Sequence, residues 1–156
     1  MTISKAKKVF VGHDFYAGFR QRRIKKYRAI FTRNFKGSPF CLIFQRPQIR
    51  AVADGHMIKD ILKNIKQAHF CIFDLTGYRP KRFSHNLNAI IELGMGIGAG
   101  KMCYAIWKKG SINLTHISDL QQAIPWRYEY KDNRDLGEII REIVISNSAL
   151  MRRRIR

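Results

Sequence analysis

His69-Phe70-Cys71-Ile72-Phe73-Asp74 is the stretch on which the reading of the fold turns. Phe70 to Phe73 are apolar without interruption, so a strand here has no polar face and is covered on both sides, and it ends in a carboxylate. Two stretches upstream share this character. Lys8-Val9-Phe10-Val11-Gly12 halts at a glycine, as a buried strand feeding a ligand-binding loop does, and Phe40-Cys41-Leu42-Ile43-Phe44 reads as a second buried strand behind the punctuation Gly37-Ser38-Pro39. Downstream, Met102 to Trp107 reads as a fourth strand, and Trp126 to Tyr130, alternating in character, as a fifth at an edge.

Helical periods fill the intervals. From Gly18 to Lys36 the apolar residues Phe19, Ile24, Tyr27, Ile30, Phe31 and Phe35 recur at helical spacing among Arg and Lys, which gives an amphipathic helix with a strongly basic face. Ala53 to Ala68 carries Met57, Ile58, Ile61, Leu62 and Ile65 on one stripe, with Asp54 as the expected N-cap. Asn86 to Ala99 is apolar nearly all round, and Gly94, Gly96, Gly98 and Gly100 are expected to let that helix approach the sheet closely. Ser118 to Ala123 reads as a short helix. Asp135-Leu136-Gly137-Glu138 matches a capping box that opens a closing helix, which runs to the basic end Arg152-Arg153-Arg154-Ile155-Arg156.

Solidly apolar strands alternating with helices imply an α/β, doubly wound domain: a parallel five-stranded sheet with helices on both faces. Residues 1–156 read as one such domain with a basic tail at 151–156. Its ligands are expected at the carboxyl ends of the strands, near Gly12 to Phe15 and Asp74 to Gly77, with the apolar helix opening beside them.

Composition narrows the classes of function. With 46% apolar residues in 156, the chain buries a real core, which excludes a disordered or collagen-like protein. Its 30 Lys and Arg against 11 Asp and Glu give +19, an imbalance that implies anionic partners. Cys41, Cys71 and Cys103 form no C-x-x-C pair and each lies in an apolar run, the pattern of small buried hydrophobes in a reducing compartment. No secretory signal is visible, and Leu87 to Trp107 is interrupted by Asn88, Glu92, Lys101 and four glycines, so neither a membrane span nor a membrane partner is expected and the cytoplasm is the expected location. Serine-hydrolase, zinc-protease and P-loop motifs are missing, and the five histidines share no ligand spacing, so no metal is expected.

Glu92 stands apart as a single carboxylate in the most apolar helix, between Ile90, Ile91, Leu93 and Met95. An ionised group there needs either a structural partner or a chemical role. The run Phe70 to Gly77, followed by Asn88-Ala89-Ile90-Ile91-Glu92-Leu93-Gly94 and Gly98-Ala99-Gly100-Lys101, resembles the core of the TIR-like and nucleoside 2-deoxyribosyltransferase-like superfamily, with Val9 to Gly12 and Gly55 to Ala68 falling on its first strand and the helix before the Asp-Leu-Thr-Gly strand. The resemblance implies a flavodoxin-like or TIR-like sheet order, cleavage of N-glycosidic bonds, and Glu92 as the catalytic glutamate. It also implies a homo-oligomer and, on its bacterial TIR side, an antiphage-defence NAD glycohydrolase or cyclase.

The chemistry agrees with that role. Breaking a ribosyl–base bond passes through an oxocarbenium-like state that a carboxylate stabilises or attacks, and nicotinamide, leaving from a cationic ring, needs no general acid. No cofactor is expected; NAD enters as a substrate. Substrate-binding candidates are His13, Asp14 and Phe15 after the first strand, Asp74 on ribose hydroxyls with Thr76 and Gly77 beside it, and Asn88 one helical turn before Glu92. Each has a plainer reading: Asp74 capping a turn with Thr76 and Gly77, Asn88 as helix N-cap, residues 13–15 as a solvated loop. The alternatives to NAD cleavage are a nucleoside or nucleotide deoxyribosyltransferase or N-glycosidase, a non-catalytic interaction or nucleotide-sensing module, and a basic protein that binds nucleic acid or another polyanion through helix 18–36 and tail 152–156.

Overall fold

The computed structural model describes residues 7–13, 17–35, 40–44, 56–77, 86–111, 122, 124 and 126–153. Its elements are β1 (Lys7–Gly12), α1 (Ala17–Asn34), β2 (Phe40–Phe44), α2 (His56–Gln67), β3 (Phe70–Asp74), α3 (Leu87–Gly98), β4 (Cys103–Lys108), β5 (Trp126–Tyr130) and α4 (Asn133–Arg153). The expected cap Asp54, and all of the expected helix at Ser118 to Ala123 except Gln122, lie outside the described residues.

All five strands are parallel in the order β2-β1-β3-β4-β5. Alternation along the strands sends Val9, Val11, Ile72, Tyr104 and Ile106 into one core with Tyr27, Ile30 and Phe31 of α1 and Leu136, Ile140 and Ile143 of α4. It sends Phe10, Cys71, Phe73, Cys103 and Ala105 into a second core with Ile61 and Ile65 of α2 and Ala89 and Leu93 of α3. The central strands need apolar side chains on both faces, which is why β3 reads as an unbroken apolar run.

Several local expectations are corrected. β2 is an edge strand and only half-buried, and Cys41 on it is exposed, whereas Cys71 and Cys103 face one another across β3 and β4 in the core. Of the α3 glycines only Gly96 marks a close approach: a Cβ there would stand 2.7 Å from Cys103 Sγ and 3.1 Å from the Phe73 ring, while Gly94 and Gly98 face open space. Gly100, at φ +66°, takes the left-handed turn that stops the helix. At the start of α4 the cap is Asp132, whose Oδ1 accepts from the N–H groups of Arg134 (2.8 Å) and Asp135 (3.0 Å), while Asp135 Oδ2 accepts from Lys131 N (2.8 Å). The helix therefore opens three residues before the expected box, because Asp132 already satisfies two of its free amides. No helix among the described residues is long and apolar enough to cross a membrane.

Candidate active site

In the order β2-β1-β3-β4-β5 the chain leaves β1 for α1 on one face and β3 for α3 on the other, so the topological switch point, where a doubly wound sheet places its ligand crevice, lies between the carboxyl ends of β1 and β3. Glu92 lies at this crevice. Ala89, Glu92, Leu93 and Gly96 form the buried stripe of α3, at the i, i+3, i+4, i+7 spacing of a helix face laid on a sheet. Three of these four residues are apolar or bare, and the fourth is a carboxylate only 1% exposed.

Gly12, the last residue of β1, makes room for it. A Cβ on Gly12 would stand 2.6 Å from Glu92 Oε2 and 2.5 Å from Phe73 Cδ1. The carboxylate thus rests on bare backbone at the strand end. Neither of its oxygens has a hydrogen-bond partner among the described residues. Burial without compensation pushes the Glu92 carboxyl up to about 8. An unpaired buried carboxylate is costly to the fold, and its raised proton affinity beside the strand ends makes Glu92 the candidate functional group.

Asn86 sets where α3 begins. Its Oδ1 accepts from Ala89 N (3.1 Å) as the N-cap, and its Nδ2 donates to the carbonyl of Asp74 (3.0 Å), which ties the helix start to the end of β3. Asn88, a candidate for the cap or for contact with the sugar, is exposed in the first turn and is not the cap.

Asp74 and Thr76 serve the other side of the sheet. Phe73 and Leu75 face α2 and α3, so Asp74 faces α1, where Oδ2 accepts from Tyr27 Oη (2.9 Å) and pairs with Arg23 Nη1 (3.3 Å). Its Oδ1 accepts from Thr76 N (3.1 Å), the turn-capping role. Thr76 Oγ1 accepts from Lys108 N (2.9 Å) and lies 3.2 Å from Tyr130 Oη, and its carbonyl accepts from Arg23 Nη2 (3.0 Å). Lys26 sits 4.7 Å above the Tyr130 ring, its pKa lowered by burial. The two carboxylates at the strand ends are therefore separated by the sheet: Asp74 is saturated by protein groups and Glu92 is left open. Gly77 is buried just past β3. His13 is buried against Phe44 of β2, with ring centroids 5.7 Å apart. Asp14 and Phe15 lie outside the described residues. Among the described residues no group of three His, Cys, Asp or Glu side chains could hold a metal ion.

Sequence reading missed Tyr27, Arg23 and Asn86. Nothing local marks Tyr27 or Arg23 as partners of a carboxylate about fifty residues away, but Asn86, Asx-type and three residues before the first buried helix residue, carried an N-cap signal.

No protein-family model and no curated protein matches the sequence. Solved structures do match. A 2-desoxiribosyltransferase from Leishmania mexicana is similar at a TM-score of 0.52 with 16% identity, over 65% of this chain and 64% of that one, so the chain spans less than two thirds of its length. A CMP N-glycosidase from Clostridium botulinum, BcmB, is similar at a TM-score of 0.56 with 15% identity, over 86% of this chain and 98% of that one. The fold is shared with both.

Proposed function

We propose that the protein cleaves or transfers at the N-glycosidic bond of a nucleoside or nucleotide, with Glu92 acting on the anomeric carbon. The observation that carries this reading is the open carboxylate: buried, unpartnered, seated over Gly12 at the crevice between β1 and β3. Support comes from the two similar structures, whose names describe a deoxyribosyltransferase and a nucleotide N-glycosidase. These favour nucleosides and nucleotides over NAD as the substrate class.

In the ionised form a Glu92 oxygen approaches C1′ as the C1′–N bond breaks, and the bonding pair leaves with the base. Water then attacks C1′ and releases the carboxylate; over the cycle the proton lost by that water equals the one gained by the base, leaving free base and sugar. A second base in place of water gives transfer. With its pKa near 8, about one Glu92 in ten is ionised at pH 7, and the positive charge developing on the sugar favours that form. The low-dielectric setting strengthens the charge interaction once it forms.

The test is product analysis at high protein concentration, with ribo- and deoxyribonucleosides, their monophosphates, and NAD offered separately. Free base from a nucleoside or monophosphate supports the proposal; release of nicotinamide from NAD alone replaces it with the glycohydrolase reading, and no release from any of them contradicts both.

A further inference from the structure

The geometry points to the exposed face of α1 as a docking surface for the phosphate backbone of double-stranded nucleic acid. α1 carries seven Arg and Lys and not one Asp or Glu. The fold divides them. Arg23 and Lys26 turn inward to Asp74 and the Tyr130 ring, whereas Lys25, Arg28 and Arg33 are exposed. These three extend over about 12 Å of helix axis at 1.5 Å per residue. The Arg28 guanidinium lies over the Phe44 ring, 5.8 Å from its centroid, which fixes the charged head on the surface. The nearby acid Asp74 is 1% exposed and already paired, so it does not neutralise the outer face.

At its C-terminal end this face runs into a groove of about 240 Å³ between α1 and α4, lined among others by Arg33, Asn34, Arg134, Glu138 and Arg141. Glu138 pairs with Arg134 at 3.5 Å, which leaves Arg33 and Arg141 as the groove's surplus of positive charge.

Among the described side chains of α1 none offers a stacking surface, and this selects the form of the polyanion. Tyr27 and Phe31 of α1 are buried, and the large apolar side chains exposed among the described residues, Ile58, Leu87, Ile91, Trp126 and Ile145, all lie on other elements. Single strands are held by charge together with aromatic platforms for unstacked bases. A face whose described side chains are charges, with the Phe44 ring already engaged by Arg28, matches a backbone whose bases are already stacked, and it reads no sequence.

The experiment is duplex binding measured against salt, with the full chain and a fluorescent duplex of random sequence. Three phosphate contacts predict a slope of log K on log salt of about −2.7, which is about a fortyfold loss of affinity between 50 and 200 mM salt. Lys25→Gln/Arg33→Gln should lower the slope to about −0.9, a loss of about three- to fourfold over the same range. Lys63→Gln/Lys66→Gln removes the same charge from exposed positions on α2, on the opposite face, and should leave the slope unchanged. Equal changes in both variants, no change in either, tighter binding of a single strand, or no duplex binding at 50 mM salt would each overturn the proposal. None of these outcomes depends on the role of Glu92.

Discussion

Replacing Glu92 by Gln keeps the side-chain volume and removes the proton-binding group, and the effect on stability has a calculable pH dependence. The carboxyl titrates near 8 in the folded protein and near 4.5 in an unconstrained chain, because burial penalises the charged form. Between those two pH values the folded state holds a proton that the unfolded state has released. Stability contributed by the group is thus fully present below about pH 4.5 and is lost as pH rises toward 8. At 1.36 kcal/mol per pH unit, the loss between pH 4.5 and pH 7 comes to about 3 kcal/mol, with about 1 kcal/mol more by pH 8. Glu92→Gln removes this term, while every other titrating group is common to both proteins. Urea unfolding of both at pH 4.5, 6, 7 and 8 should therefore show the variant gaining on the wild type by about 3 kcal/mol between pH 4.5 and 7, whatever their difference at the lowest pH. A difference that stays constant with pH would mean that the carboxyl has a partner in the folded protein and is not held open.

The same titration governs turnover: if the carboxylate is the acting form, kcat/KM should rise about tenfold per unit up to pH 8 and then level off, as a pH–rate profile would show. Gly12→Ala sets a methyl group 2.6 Å from Glu92 Oε2, so base release should fall at least tenfold, at a stability cost of about 1–3 kcal/mol by thermal unfolding. Gly94→Ala and Gly96→Ala should act in opposite directions: the first gains about 1 kcal/mol in an open helix position, and the second loses about 1–3 kcal/mol against Cys103 and Phe73. Asp74→Asn removes the buried charge that pairs with Arg23 and accepts from Tyr27, and denaturant unfolding should show a loss of about 3 kcal/mol.

The parallel sheet and its two covers were legible because β1, β3 and β4 are apolar on both faces, as the central strands of a parallel sheet covered by helices on both sides must be. Position in the sheet was legible for β5, whose alternation marks an edge, but not for β2. Five apolar residues at Phe40 to Phe44 look like a central strand, yet edge placement depends on which neighbour pairs where, and that leaves Cys41 exposed. Glu92 stood out because a charge on an apolar stripe violates local expectation, the kind of conflict that functional sites produce. Asp74 sent the same signal, and its partners Tyr27 and Arg23 were not legible, since a carboxylate at a strand end looks alike whether it awaits a ligand or already holds such groups. Glycines were legible as a group but not singly: three in α3 and Gly100 just after it suggested close packing, whereas of these only Gly96 meets the sheet, and the glycine against Glu92 is Gly12 on β1.

The measurement that bears most directly on Glu92 is chromatographic detection of free base after incubating wild type and Glu92→Gln with nucleosides and nucleoside monophosphates, with circular dichroism confirming that both are folded. Release by the wild type together with a loss of at least a thousandfold in the variant is the result predicted for a carboxylate acting at the anomeric carbon. Equal release by both proteins would contradict it and move the chemistry away from the crevice between β1 and β3.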